Sequence, residues 1–252
     1  MAKQGNAPQA VLVLGATSAI AQAWMRLLAP LGTRFFLVAR NAERLEAVAG
    51  DLRTRGAAAV SSEALDLDRT EEHAYMLERA ARVLGRIDCA LIAHGVLGEQ
   101  SVADKDFAHA EMLLRTNLVS AVSLATWLAN YFDAQGQGTL AAISSVAGDR
   151  GRWKNCVYGA AKAGLNAYMD GLRNRLARRG VQVLTIRPGF VATPMTAHMP
   201  QGPLFATPER VARDIERAIE QRRSILYTPG FWRWIKLAVR AIPGRIFNQM
   251  DI

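Results

Sequence analysis

Seven short runs of apolar and β-branched residues recur along the chain, at residues 11–14, 35–39, 58–64, 90–93, 140–143, 182–186 and 224–227. Each reads as a strand, and between them apolar positions fall at helical spacing, at residues 19–31, 42–55, 70–84, 107–132, 158–178 and 208–220. Strands alternating with helices predict an α/β fold, a doubly wound parallel sheet with helices on both faces. No repeat, low-complexity linker or shift in composition divides the pattern. One domain is therefore predicted over residues 1–230, followed by an amphipathic extension over residues 231–252.

Composition narrows the class. Half of the 252 residues are hydrophobic, enough for a sizeable core and too many for a disordered chain. The two cysteines, Cys89 and Cys156, exclude a disulfide framework and favour a reducing compartment. His73, His94, His109 and His198 are scattered, none at metal-ligand spacing from a cysteine or acid, so no metal site is expected. The N-terminal MAKQGNAPQA lacks the apolar core of a signal peptide, and no run approaches the ~20 apolar residues of a transmembrane helix. The net charge of +9 invites a nucleic-acid reading. Its basic residues are dispersed up to the C-terminal segment and no nucleic-acid motif is present, so no such partner is expected. The excess charge is assigned to solvated surface, or to attraction for anionic lipid or phosphate. The expected location is cytoplasmic, peripheral on the inner face of the membrane.

The chemistry concentrates between Ile143 and Gly164. Tyr158 and Lys162 stand four residues apart on a predicted helix and share a face. A neighbouring cation favours the phenolate, so Lys162 is expected to bring the tyrosine from its usual ~10 towards working pH, which suits a general acid or base. Ser144 and Ser145 follow the run at 140–143, placing a hydroxyl at a strand's carboxyl end, where open α/β sheets bind ligands. Gly15-Ala16-Thr17-Ser18-Ala19-Ile20-Ala21 follows the first strand and opens the first helix, the placement a pyrophosphate site needs.

The serine thirteen residues before Tyr158, the lysine four after it and the glycine-bearing first turn together resemble the short-chain dehydrogenase/reductase family, over about nine-tenths of the sequence. The resemblance implies a Rossmann-type sheet of about seven strands and a nicotinamide cofactor. It assigns Ser145 to hold a substrate carbonyl oxygen, Tyr158 to donate the proton and Lys162 to bind the nicotinamide ribose, with Asn117 in the proton relay behind the lysine. Ser144 has the less suitable spacing, and Cys156 has no base in its motif. Gly15 is kept, but Ala19 and Ala21 stand where the family shows further glycines. A slightly displaced cofactor is therefore expected on Gly15, Thr17, Ser18, Ala19 and Ile20. Ala39 offers no carboxylate to an adenine-ribose hydroxyl, whereas Arg40 can pair with a 2′-phosphate, which favours NADP over NAD. Asp66 and Leu67 would border the adenine, and Asp68 would cap the helix beginning at Thr70. Gly95 alone survives of the family's Asn-Asn-Ala-Gly, and His94 has two open placements, at the cofactor's ribose or under the loop. Pro188, Val191 and Thr193 would hold the carboxamide, and residues 194–208 would form a substrate lid.

In the extension, Arg233, Lys236 and Arg240 fall on one helical stripe, and Phe231, Trp232, Trp234, Ile235, Leu237, Val239 and Ile242 fill the remainder. That pattern predicts a helix lying on an anionic membrane surface, in competition with docking on its own domain or on a second subunit. A homo-oligomer is expected. With G-A-T-S-A-I-A, I-A-H-G and P-G-F-W-R-W, the overall pattern is similar to bacterial decaprenylphosphoryl-2-keto-pentose reductases. The predicted function is NADPH-dependent reduction of a ketone on a small-molecule or lipid-phosphate substrate. A polyprenyl-phosphate-linked keto-pentose is one substrate class, and another lipid-like or acyl ketone the alternative. A catalytically silent NADP-binding scaffold is the reading from another class.

Overall fold

The structure, a computed structural model, describes residues 7–250. Seven strands, β1 (Ala10–Leu14), β2 (Arg34–Ala39), β3 (Ala59–Ala64), β4 (Cys89–Ile92), β5 (Gly138–Ile143), β6 (Val181–Pro188) and β7 (Ile225–Thr228), form one sheet. All pairings are parallel, in the order β3-β2-β1-β4-β5-β6-β7. The order reverses between β1 and β4, so the loops leaving these strands diverge and open a crevice at the carboxyl edge. Each predicted strand is present, its ends within two residues of the sequence reading.

The helices are α1 (Ala19–Leu28), α2 (Ala42–Thr54), α3 (His73–Leu84), α4 (Gln100–Ala103), α5 (Phe107–Leu114), α6 (Ser120–Gln135), α7 (Cys156–Leu176), α8 (Pro208–Glu220), α9 (Trp232–Ala241) and α10 (Gly244–Phe247). Every residue of β1 and β6 is buried, as parallel strands covered on both faces require. Alternate β1 side chains serve the two layers. Val11 and Val13 pack with Trp24, Leu45 and Ile215 of α1, α2 and α8 on one face. Leu12 and Leu14 pack with Leu77, Leu124 and Met169 of α3, α6 and α7 on the other.

Three expectations change. The helix predicted at 107–132 is α5 and α6 joined by a π-helical turn, Arg115–Val119, whose extra residue carries Asn117 inward. The combined run Phe107–Gln135, 29 residues with a mean hydropathy of 1.3, is long and apolar enough to cross a membrane, against the sequence expectation. Half of its apolar window is buried, because α6 packs on β4 and β5. Asp68 does not cap a helix: its Oδ2 accepts from the Thr116 hydroxyl at 2.6 Å, fastening the loop after β3 to the π-turn.

Candidate active site

At the carboxyl edge of the sheet lies a cavity of about 430 Å³, lined by every site residue that the sequence predicts. Gly15, Thr17, Ser18, Ala19 and Ile20 come from the β1–α1 turn, and Arg40 from the end of β2. Asp66 and Leu67 follow β3, Gly95 follows β4 and Asn117 sits in the π-turn. Ser145 follows β5, Tyr158 and Lys162 project from α7, and Pro188, Val191 and Thr193 come from the end of β6 and the loop beyond it.

At the centre, Ser145 leaves β5 in extended backbone and its Oγ accepts from Ala147 N at 3.0 Å, leaving the hydroxyl proton for another partner. The same hydroxyl acts on the Tyr158 phenol and favours its ionised form. Lys162 is 3% exposed and donates from Nζ to the Ile143 carbonyl at 3.2 Å. Its Nζ lies 5.7 Å from the centroid of the Tyr158 ring. Burial pushes the Tyr158 phenol up to about 12, with the Ser145 hydroxyl opposing, and burial pulls Lys162 down to about 8. The expectation that Lys162 lowers the tyrosine is thus corrected. Desolvation outweighs a cation that is tethered to a strand carbonyl rather than to the phenol. At neutral pH the phenol keeps its proton, the state from which a tyrosine donates. Ser144 is occupied otherwise, its buried hydroxyl donating to the Lys162 carbonyl at 3.2 Å.

Asn117 is anchored in three places. Its Nδ2 donates to Val96 O at 2.8 Å and Leu113 O at 3.0 Å, and its Oδ1 accepts from Val96 N at 3.2 Å. The amide so pins the loop after β4 against the π-turn. Asn117 and Lys162 flank Gly95: a Cβ there would lie 2.7 Å from Asn117 Oδ1 and 3.4 Å from Lys162 Nζ.

One end of the cavity fits a dinucleotide. Ser18 makes no side-chain cap on α1 and no acid stands in the first turn, so the helix N-terminus keeps donors for an anion. Gly15 has φ +90°, and a Cβ there would lie 2.4 Å from His94 N, so the turn is pressed against the loop after β4. Arg40 has a companion that the sequence reading missed. Asn41 Oδ1 accepts from Arg44 N at 2.8 Å, capping α2 and bringing Arg44 to the same wall. His94 takes the second of its two placements. Ser120 donates its hydroxyl to Leu67 O, so His94 Nε2 donates to Ser120 Oγ at 2.9 Å, beneath the loop. Burial pulls this imidazole down to about 3, and it stays neutral.

The other end holds Met195 and Met199 of the predicted lid together with Arg152, Asn155, Phe190, Trp232 and Lys236, five residues that the sequence reading did not place in the site. Trp232 is 6% and Lys236 4% exposed, whereas Trp234 is 66% and Leu237 60% exposed. The expected cationic stripe is therefore split, with Lys236 turned inward and Arg233 and Arg240 outward. Docking at Gly189 decides this. A Cβ there would lie 1.9 Å from the Trp232 Nε1, so only glycine lets the indole settle on the loop after β6. Trp232 then meets Phe190 edge-on at 5.5 Å between centroids. Arg150 donates to the Val239 and Ile242 carbonyls, the latter at 2.8 Å, and closes the C-terminal end of α9. The predicted lid is a loop with a bonded neck: Ala192 N donates to Ala206 O at 2.8 Å and Ala206 N to Phe190 O at 2.9 Å. Among the described residues, no group of three or more His, Cys, Asp or Glu side chains is placed to hold a metal ion.

Comparison with known proteins follows the same lines. Residues 9–203 match the family model for short chain dehydrogenase. The chain is 39% identical over 246 residues to an uncharacterized oxidoreductase of Mycobacterium tuberculosis, covering 98% of each chain. It is 36% identical over 250 residues to another of Streptomyces coelicolor, covering 97% of each. A ketoacyl reductase of Nostoc sp., HetN, is 28% identical over 217 residues, covering 84% of this chain and 75% of that one. Among solved structures, an actinorhodin polyketide ketoreductase variant with NADPH superposes with a TM-score of 0.79 at 23% identity, over 89% of this chain and 97% of the other. The keto-pentose subtype expected from the sequence is not among the names these relatives carry.

Proposed function

The chain belongs to the short-chain dehydrogenase family, and from that premise we propose that it is an NADPH-dependent reductase of a ketone to a secondary alcohol. The observation that carries this reading is the meeting of Ser145, Tyr158, Lys162 and Asn117 on one cavity wall whose far end bears Arg40 and Arg44. The nicotinamide cofactor supplies the hydride when bound. Gly15 to Ile20 would receive its pyrophosphate, Asp66 and Leu67 its adenine, Pro188, Val191 and Thr193 its carboxamide, and the two arginines a 2′-phosphate. Ser145 turns its hydroxyl proton from the phenol to the ketone oxygen when substrate enters, and Tyr158, kept protonated by burial, donates the proton that completes the alcohol. Lys162 stands beside the phenol as a cation and Asn117 fixes the loop behind it, from which the proton is replenished.

The substrate reading is a lipid-like ketone, with a polyprenyl-phosphate-linked keto-pentose as its most specific form. The apolar faces of Phe190, Met195 and Met199 on the cavity wall support it. The outer face of α9 bears Trp234 and Leu237 beside Arg233 and Arg240, which supports peripheral attachment to an anionic inner membrane surface from the cytoplasm. Pairing of copies through the same face is the competing use of it. Assay of a ketone panel with NADPH and with NADH, including a lipid-phosphate keto-sugar, tests the function. Oxidation of NADPH coupled to alcohol formation is expected, and its absence across acyl, cyclic and sugar ketones would reject a reductase.

A further inference from the structure

The cavity has two cationic ends. Arg40 and Arg44 form one, Arg152 and Lys236 the other. In sheet order β2 lies three strands from β5, about 14 Å at ~4.8 Å per strand, and α9 follows β7, farther still. Ser145, at the end of β5, falls between them. The arginines on the β2 side are in place for a cofactor phosphate. Those groups beyond the reacting atoms are not.

Lys236 is 4% exposed, and among the described residues it has no hydrogen-bond or ion-pair partner. The Nε of Arg152 and the Nε1 of Trp232 are likewise buried without a partner. Nearby charge compensates them only in part, Asp149 Oδ2 being buried without a hydrogen-bond partner of its own. Asp149 is within electrostatic reach of Lys236 but is paired with Arg187 at 3.1 Å, and Arg150 is held by the carbonyls of α9. Burial, with Arg152 and Arg150 adding to it, pulls Lys236 down to about 8. Burying cations without partners is costly, so an arrangement that brings Arg152 and Lys236 to one wall implies something that pairs them. Phe190 and Met199 line both this end and an adjoining apolar cavity of about 420 Å³, walled by Pro203, Leu204 and Phe205.

We propose that Arg152 and Lys236 form an anion subsite beside the Trp232 ring, and that the ligand seated there carries a phosphate or carboxylate next to an apolar portion. Identifying that ligand as the ketone to be reduced rests on the reductase reading above. The subsite then fixes the anionic group at one side of Ser145 while the apolar portion runs towards Phe190 and Met199. Substrates lacking the anion would leave the buried Lys236 and the half-buried Arg152 unpaired and bind correspondingly less well.

Calorimetric titration of the NADP-saturated protein with hexyl phosphate, hexanoate and hexanol tests this, since saturation keeps the probes away from Arg40 and Arg44. At least one of the two anions is expected to bind ten or more times more tightly than hexanol, and the tighter of the two identifies the head group. That preference should collapse in Lys236→Met and in Arg152→Gln and survive in Lys236→Arg, with NADP affinity reporting that each variant is folded. Inorganic phosphate binding as tightly as hexyl phosphate would remove the apolar half of the proposal. Equal binding of all three hexyl probes, or a preference unchanged in both charge-removing variants, would overturn the subsite. The titration needs no turnover. A protein that selects the anion but reduces no ketone would keep the subsite and lose the reductase reading, and an active reductase without selection would do the reverse.

Discussion

Tyr158 and Lys162 depart from their ordinary behaviour in opposite directions, and each departure can be measured. A phenol pushed up to about 12 keeps its proton across the physiological range. Replacing it by Phe should lower ketone reduction by about 10²–10⁴-fold, the usual worth of a positioned general acid. NADPH affinity, read by fluorescence titration, should barely change, and a variant that retains most of its rate would remove Tyr158 from the chemistry. Burial pulls Lys162 in the folded protein down to about 8 from an ordinary 10.5. Between those values the unfolded chain binds more protons, so stability rises with pH through this window, and the penalty of burying the charge is fully present below about 8. Tyr158 opposes this only above its ordinary 10. Lys162→Met should therefore gain most in melting temperature relative to wild type at pH 7, with the gain shrinking by pH 10. A gap independent of pH would contradict it. At the cofactor end, Arg40→Ala and Arg44→Ala should each weaken NADPH about 10–100-fold, from ~1.5–3 kcal/mol for a charged hydrogen bond, and leave NADH nearly unaffected. Equal affinities of the wild-type protein for NADPH and NADH would sink that assignment.

Among the elements, α9 shows how far a local change can reach. Arg150→Ala removes the donors that hold the Val239 and Ile242 carbonyls and a guanidinium stacked 3.6 Å over the Phe247 ring. Amides of α9 should then exchange with solvent faster while those of β1 and β5 stay protected, as hydrogen exchange can resolve. Uniform loss of protection would mean that the helix is part of the global fold. The same helix marks the limit of what the sequence discloses. The inner strands were readable because a run buried on both faces is largely apolar, whereas the edge strand β3, only partly buried, carries Ser61, Ser62 and Glu63. Ser145, Tyr158 and Lys162 were readable because their spacings within the chain are local. Helical periodicity says that Trp232 and Lys236 share a face, but not that this face turns inward. That depends on Gly189, far away in sequence, having room for an indole. The π-turn was hidden for a related reason. One extra residue in a helix leaves the apolar pattern nearly intact, and its trace was a single amide, Asn117, among apolar neighbours. Arg44 went unnoticed beside Arg40 because a cap, rather than any motif, carries it to the wall.

At the scale of the whole molecule, the outward faces of α9 and α10 remain to be used. Trp234, Leu237 and Ile246 are exposed there among Arg233, Arg240 and Arg245. Flotation with vesicles rich in anionic lipid should carry the wild-type protein upward and leave a Trp234→Ser, Leu237→Ser double variant behind. Should both stay at the bottom while the double variant alters the elution volume, the face joins copies of the chain instead. The position of α9 in the chain has a consequence for synthesis. The residues proposed for the cofactor are all made once the chain has passed Thr193, just beyond β6, whereas Lys236 follows Thr193 by about forty residues. At ~5–20 residues per second, a nascent chain passes roughly 2–8 s with the means to grip a nucleotide and no wall against which to seat an acceptor. Early nucleotide binding would thus steady the sheet on the ribosome, and selectivity for the acceptor would arrive only with the last helices.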